Sequence, residues 1–188
     1  MRKDLFTSVY PKDNRTGGYV VDVSLDGYGD LFNAWDRAPL KRRDLNPDLN
    51  NFMEEATEEI PMKFPIVVLL HLPRGSRIGW KEEKSRTGWK NYYRFQKHLV
   101  SKEIRESNGR IVVYVIVAML FLFLAYFFQP WEARGLVYTI TIQGMVVGGW
   151  VFLWEAFSMA FFKNRTLYRH RRRYHRLMET EIRFVYDE

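Results

Sequence analysis

Apolar and polar positions follow different rhythms along this chain, and each rhythm predicts an element. Tyr19, Val21, Val23 and Leu25 alternate with Val20, Asp22 and Ser24, the period of a half-buried strand over 19–25. Asp26-Gly27 ends it as a turn signal. The following stretch to Asn46 is rich in Asp, Pro, Arg and aromatics. It predicts an irregular excursion with one helical turn at Leu31 to Trp35.

Asn46-Pro47 is a helix start by chemistry, because the Asn side chain can accept from an exposed amide and Pro at the first helical position loses no bond. Leu49, Phe52, Met53, Ala56 and Ile60 then recur at helical spacing with Glu54, Glu55, Glu58 and Glu59 outward, so this helix should end before Pro61. Phe64 to Leu72 is short, apolar and bounded by prolines, which predicts a central strand buried on both faces. Strand, helix and strand in that order favour parallel pairing with a right-handed crossover. Residues 81–107 carry Trp89, Tyr92, Tyr93, Leu99, Val100 and Ile104 at spacings of three and four, an amphipathic helix. Asn108-Gly109 predicts a stop or hinge after it. Near the end, Ile182, Phe184 and Tyr186 alternate with Arg183 and Val185, so residues 181–186 should return as a short strand.

Two longer apolar runs have neither rhythm. Ile111 to Phe128 is free of charge, and as a helix its 18 residues would reach about 27 Å, the lower bound for a membrane span. Leu136 to Phe162 contains one charge, Glu155, and is long enough to span with tilt. Residues 129–135 form a short polar connection with Pro130 and Gly135, which predicts a tight antiparallel hairpin. A small soluble domain would have to cover two such helices on all sides. The expected layout is an α+β cytoplasmic domain over 1–110, transmembrane helices over 111–128 and 136–162, and a basic cytoplasmic tail over 163–188.

Composition alone would suggest something else. The 188 residues carry 29 Lys and Arg against 22 Asp and Glu, a net charge of +7, and the mean hydropathy is -0.32. Those averages describe a basic soluble domain with a hint of nucleic acid. The charge is not evenly spread, however: residues 111–162 hold only Glu132, Arg134 and Glu155, and the excess of cations sits on both flanks. Arg94, Lys97, Lys102, Arg105 and Arg110 precede the first span, and Lys163, Arg165, Arg169, Arg171, Arg172, Arg173 and Arg176 follow the second. The positive-inside rule therefore puts both termini in the cytoplasm and the connection outside. Tyr126, Phe127, Phe128, Trp131 and Tyr138 gather at the outer end, where amphipathic rings favour the interface. The first residues lack the apolar core of a signal peptide, so the first span is expected to serve as its own insertion signal. The sequons at Asn14 and Asn164 fall on the cytoplasmic side of this topology and are read as coincidence.

Candidate chemistry is sparse. Without cysteine the chain has no disulfide, thiolate metal site or cysteine nucleophile. His170 and His175 are five apart and do not share a helix face as zinc ligands would. With His71 and His98 on other elements, no metal site and no cofactor are expected. Asp22, Asp26 and Asp30 match no calcium loop, and no phosphate loop, nucleophile elbow, dinucleotide fingerprint or HExxH is present. The chain is not expected to be an enzyme.

Three groups remain. Glu155 lies in the second apolar run with Thr139, Thr141 and Gln143, and an ionisable group there is a functional candidate; the plainer alternatives are that it snorkels to the cytoplasmic interface or accepts a hydrogen bond from Tyr114 of the first run. Gly144 and Gly148 form a GxxxG followed by Gly149, which lets helix backbones approach, within one chain or between copies. The cluster Lys163 to Arg176 suits anionic headgroups, at about 1 kcal/mol per cation near a membrane surface. Nucleic acid responds to the same charges but is not the favoured partner.

The segments YVVDVSLDGYGDLFNAWD, NYYRFQKHL and GGWVFLWEAF resemble parts of small bacterial inner-membrane proteins that join an α+β cytoplasmic portion to a late two-helix hairpin. The resemblance covers roughly half the chain, implies that address and brings no activity with it. A looser similarity is to the two-helix membrane effectors of bacterial conflict systems, the SLATT class, from which the long cytoplasmic portion ahead of the hairpin departs. The resulting expectation is a membrane-anchored docking or assembly subunit, partnered by another membrane protein or by its own copies. The alternative is a homo-oligomeric ion channel or membrane effector built on the second span and Glu155.

Overall fold

The computed structural model describes residues 6–40, 42–128 and 135–187. In chain order the elements are α1 (Phe6–Val9), β1 (Tyr19–Ser24), α2 (Pro47–Glu59), β2 (Ile66–Pro73), α3 (Gly79–Phe128), α4 (Gly135–Ser158), a π-helical turn (Met159–Lys163), α5 (Asn164–Met178) and β3 (Glu181–Asp187). They fall into two compact units: the first is Met1–His98 with Arg171–Glu188, the second Leu99–His170. The fold is mostly helical, with two long apolar helices and a small parallel sheet.

In the first unit the strands lie in the order β1-β2-β3, and both pairs are parallel. The register puts Val21 beside Val68 beside Ile182, and Val23 beside Leu70 beside Phe184. Alternation then collects Tyr19, Val21, Ile66, Val68, Leu70, Leu72 and Ile182 on one buried face, as the period of two requires. The core over this face includes Leu49, Met53 and Ala56 of α2, Ile60 just after it, Trp89 and Tyr93 of α3, and Leu177 of α5. The Trp89 indole N–H donates to the Leu177 carbonyl at 2.8 Å, so the largest core side chain is not left with a buried unpaired donor.

Helix α2 starts as its sequence dictates, with Asn46 accepting from the Asp48 amide and Pro47 in the first turn. Three expectations need correction. The strand β2 is not buried on both faces: Val67 is covered, but Leu69 and His71 are half-buried, because the core side chains of α2, α3 and α5 pack on the opposite face. Leu31 to Trp35 forms turns rather than a helical turn, and Phe32 bridges Leu45 across the excursion. This excursion is itself core, since Tyr28, Leu31, Phe32 and Leu45 are all buried. Gly88 of α3 exists for it: a Cβ there would strike the Leu40 carbonyl oxygen and lie 2.8 Å from the Phe32 ring.

The third correction concerns Asn108-Gly109, which neither stops nor hinges the chain. Helix α3 runs unbroken through both residues. Glycine inside a helix costs about 1 kcal/mol, which the long helical segments on either side offset. Asn108 has its own role, accepting a 2.7 Å bond from the Asn164 amide. The helix that carries the second apolar run continues past Phe162, because α4, the π turn and α5 form one continuous helical stretch from Gly135 to Met178.

Candidate membrane-facing site and its basic flank

In the second unit, α3 and α4 pack antiparallel. Phe152 meets Tyr114 and Phe121 with ring centroids at 5.9 and 5.8 Å, and further along Asn164 meets Asn108. The closest approach is at Gly149, where a Cβ would lie 2.7 Å from Leu122 and 3.2 Å from the Ala118 carbonyl oxygen. Gly148 faces Phe121 at 3.2 Å, whereas Gly144 has nothing within 4 Å. The contact therefore runs through the adjacent pair Gly148 and Gly149, together with buried Ala118 and Ala156, rather than along the GxxxG spacing. At the far end the Tyr138 hydroxyl donates to the Phe128 carbonyl, one of the four orphan acceptors that end every helix. The expected connection through Pro130, Trp131, Glu132 and Arg134 lies outside the described residues.

Most of the apolar surface of this pair is uncovered. Only 11% of the most apolar stretch of α3 is buried, and 6% in the helix from Gly135 to Met178. Val112, Ile116, Leu120, Phe123, Val147, Trp150, Val151 and Trp154 are all more than half exposed. A soluble monomer rarely leaves more than a few hundred Å² of contiguous apolar surface open.

The polar residues of this pair behave differently from one another. Thr141 is satisfied within its helix, its hydroxyl donating to the Val137 carbonyl at 2.9 Å, and Thr139 does the same to Gly135 at 3.5 Å. Gln143 is exposed and borders a shallow groove with Leu122, Tyr126 and Val146. Glu155 is exposed. The expected bond from Tyr114 does not form; that ring packs on Phe152 instead. Among the described residues no hydrogen bond or ion pair reaches Glu155. Where α3 meets the start of α5, the hydroxyl of Ser107 and the Asn164 side-chain oxygen are buried without a partner.

The basic cluster divides. Lys163 lies 4.0 Å from Glu103, and Arg165, Arg169, Arg171 and Arg172 are exposed. Arg173 and Arg176 belong instead to the fold of the first unit. Arg173 pairs with Glu58 of α2, and its side chain is only 11% exposed. Arg176 donates to the carbonyls of Ile60 at 2.8 Å, Pro61 at 3.1 Å, Phe64 at 2.6 Å and Thr57 at 3.3 Å. These acceptors surround the end of α2, where carbonyls lack helical partners and a cation is favoured by the helix dipole. Burial pushes the Arg176 pKa down to about 10, so at neutral pH the guanidinium keeps its charge. Lysine or arginine runs near a membrane read as lipid contacts from sequence, but the acceptors of Arg176 are main-chain oxygens and leave no sequence signature.

No family model, no curated protein and no solved structure matches this chain. Function must therefore be argued from the residues themselves.

The outer face of the sheet adds a second polar system. Asp13 takes both arms of Arg183 at 2.8 and 2.9 Å and the Thr16 hydroxyl and amide at 2.6 and 2.9 Å. The Arg183 fork holds the Asp13 carboxyl well below the usual carboxylate range. Glu181 is lowered for the same reason, with Arg183 beside it and Arg15 adding to the field. On the core side, the Ile78 amide donates to the Tyr28 hydroxyl, which meets the Tyr186 hydroxyl at 2.6 Å; Tyr186 in turn donates to Glu82 at 2.6 Å. Burial and the Glu82 carboxylate push the Tyr186 phenol far up. The His71 Nε2 lies 2.9 Å from the Asp22 carboxylate.

Proposed function

We propose that this is a multi-pass protein of a bacterial inner membrane, with both termini cytoplasmic, whose first unit is a docking module for a partner. The observation that carries the reading is the uncovered apolar surface of α3 and α4. Burying a Leu, Ile, Val or Phe side chain is worth about 1.5–3 kcal/mol, and more than a dozen of them are left exposed here. A hydrocarbon environment recovers that free energy without a partner chain. The distribution of cations around residues 111–162 supports the orientation, and the exposed Arg165, Arg169, Arg171 and Arg172 suit anionic headgroups.

The docking role rests on a patterned core joined to that anchor. Several of its polar groups are spent on folding: Arg176 on carbonyls, Trp89 on Leu177, His71 on Asp22. A topology reporter fused at Glu132 and at each end tests the anchor, and a cytoplasmic signal from the connection refutes it. Affinity purification of the full chain in mild detergent tests docking. Recovery of the chain alone, as a monomer, counts against it.

Glu155 favours a second reading, in which copies of the chain assemble around it as a channel. An acidic residue facing lipid near a helix centre costs about 2.5–3.5 kcal/mol, and a neighbouring copy would remove that cost. Bilayer conductance of the native protein, Glu155→Gln and Glu155→Ala decides this reading. Unchanged or absent currents in all three remove it.

A further inference from the structure

The register of the sheet leaves the β3 edge open. The amides of Tyr19 and Leu25 bond to the carbonyls of Pro65 and His71, so odd-numbered residues of β2 face β1 and even-numbered ones face β3. With Val68 opposite Ile182, the main-chain groups of Glu181, Arg183 and Val185 turn to β2. Those of Ile182, Phe184 and Tyr186 turn away, because the backbone alternates along a strand. The only group donating to them among the described residues is the Arg86 side chain, whose Nε reaches the Ile182 carbonyl at 3.2 Å. An open edge is a template for another strand.

The space beside this edge is a groove of about 610 Å³ between β3 and the start of α3. Its charged lining is one-sided: Arg15, Arg77, Arg86, Lys90 and Arg183 against Glu82 and Glu181. Both carboxylates are already engaged, Glu181 by Arg15 and Arg183, Glu82 by Tyr186 and Arg86. Lys90 is exposed and has no partner among the described residues. Arg77 is 77% exposed and stands 3.7 Å from Glu82. The cations on α3 and the loop before it line one wall of the groove, while Arg15 and Arg183 lie on the outer face of the sheet.

We infer that this groove binds an extended acidic segment of a partner protein, which adds to β3 as a fourth strand. Main-chain bonds to Ile182, Phe184 and Tyr186 supply affinity, and carboxylates at every second position of the segment meet Arg77, Arg86 and Lys90. Arg86 leaves the Ile182 carbonyl to a peptide amide and turns to a carboxylate. A second copy of β3 does not fit this charge, since each groove would bring the same excess of cations to the other. The inference deepens the docking reading and rests on it, because it names the chemistry of what docks.

The test is selection from a displayed library of random short peptides on the full chain in nanodiscs. The expected winners carry Asp or Glu at alternating positions. Their synthetic copies should lose about tenfold in affinity to the Arg77→Glu, Lys90→Glu double variant, since two favourable rim charges become repulsive. Both substitutions are on exposed side chains, so folding should persist and is checked by circular dichroism. N-methylation of one alternate set of peptide amides should also cost about tenfold, and of the other set less than about twofold, the signature of strand pairing. Absence of enriched peptides, winners without acidic residues, or indifference to the double variant overturns the groove. A co-purifying partner that still binds the double variant overturns the groove alone and leaves docking standing.

Discussion

Removing Arg176 should unfold the first unit long before it disturbs any membrane contact. Its guanidinium holds three carbonyls at 3.1 Å or less and a fourth at 3.3 Å. A hydrogen bond to a charged donor is worth about 1.5–3 kcal/mol net, so three good ones would suggest about 5–9 kcal/mol. Two effects reduce this. The half-buried guanidinium gives up hydration to be there, and the turn from Pro61 to Phe64 can admit water once the side chain is gone. A loss of about 3–5 kcal/mol for Arg176→Ala remains, the size seen when one member of a buried charged cluster is deleted. Against a total of about 5–15 kcal/mol for a domain, that is severe. Arg176→Lys keeps the charge but not the fork and should fall between. The assay is urea unfolding of the full chain in mild detergent, read by pulse proteolysis of the first unit. Arg172→Ala is the control, being exposed and a few residues away. It should shift stability by less than about 0.5 kcal/mol. If the Arg176→Ala and Arg172→Ala transitions coincide, the assignment of Arg176 to the fold is wrong.

Further predictions concern packing and charge. Gly149→Leu should separate the apolar helices at a cost of about 1–3 kcal/mol, while Gly144→Leu, facing open space, should be tolerated. The chain lacks cysteine, so cross-linking of an Asn108→Cys, Asn164→Cys pair reads the helix contact directly and should drop only with Gly149→Leu. Gly88→Ala should destabilise the first unit by at least about 1 kcal/mol even though Ala is the better helix former, and a neutral thermal shift would contradict the close approach of Leu40 and Phe32. Asp13 has its pKa lowered by folding, so its contribution is complete above the unfolded value near ~3.9 and fades as pH falls through the lower folded value. Asp13→Asn should thus be less stable than the native chain at pH 7 and converge with it in acid; a pH-independent gap would sink the argument. Tyr10 and Tyr174 are both raised to about 12 by burial and neighbouring carboxylates. Their neutral forms support the fold below pH ~10, and that support is lost toward the raised value; alkaline ultraviolet titration should show their ionisation coinciding with unfolding.

Periodicity made the strands and the apolar helices legible. Alternation at Tyr19, Val21 and Val23 and at Ile182, Phe184 and Tyr186 marks residues that share a sheet face, and Asn46-Pro47 marks a helix start by local chemistry alone. Contacts that join distant segments were not legible. The excursion from Asp26 to Leu45 looks polar because its core residues, Tyr28, Leu31, Phe32 and Leu45, sit singly among Asp, Arg and Pro rather than at a repeating interval. Gly88 carries no signal of its own within an amphipathic helix, since only the approach of Leu40 and Phe32 explains it. Arg173 and Arg176 stand in the same charge run as Arg171 and Arg172, yet their partners are more than a hundred residues away. In the apolar pair, small residues announced a close contact, but which glycine makes it depends on helix rotation. That rotation is set by Phe121, Leu122 and Phe152, and the spacing rule does not include them.

The sheet has a consequence for biogenesis. Its strand β3 is separated from β2 by more than a hundred residues, which at ~5–20 residues per second is roughly 5–20 s of synthesis. Throughout that interval β2 carries an unpaired edge with Val68 and Leu70 beside it, and Trp89 lacks the Leu177 carbonyl. The apolar helices are made in between. A nascent chain stalled before β3 therefore presents an incomplete domain to chaperones and proteases, and the first unit can close only after both apolar helices have been made.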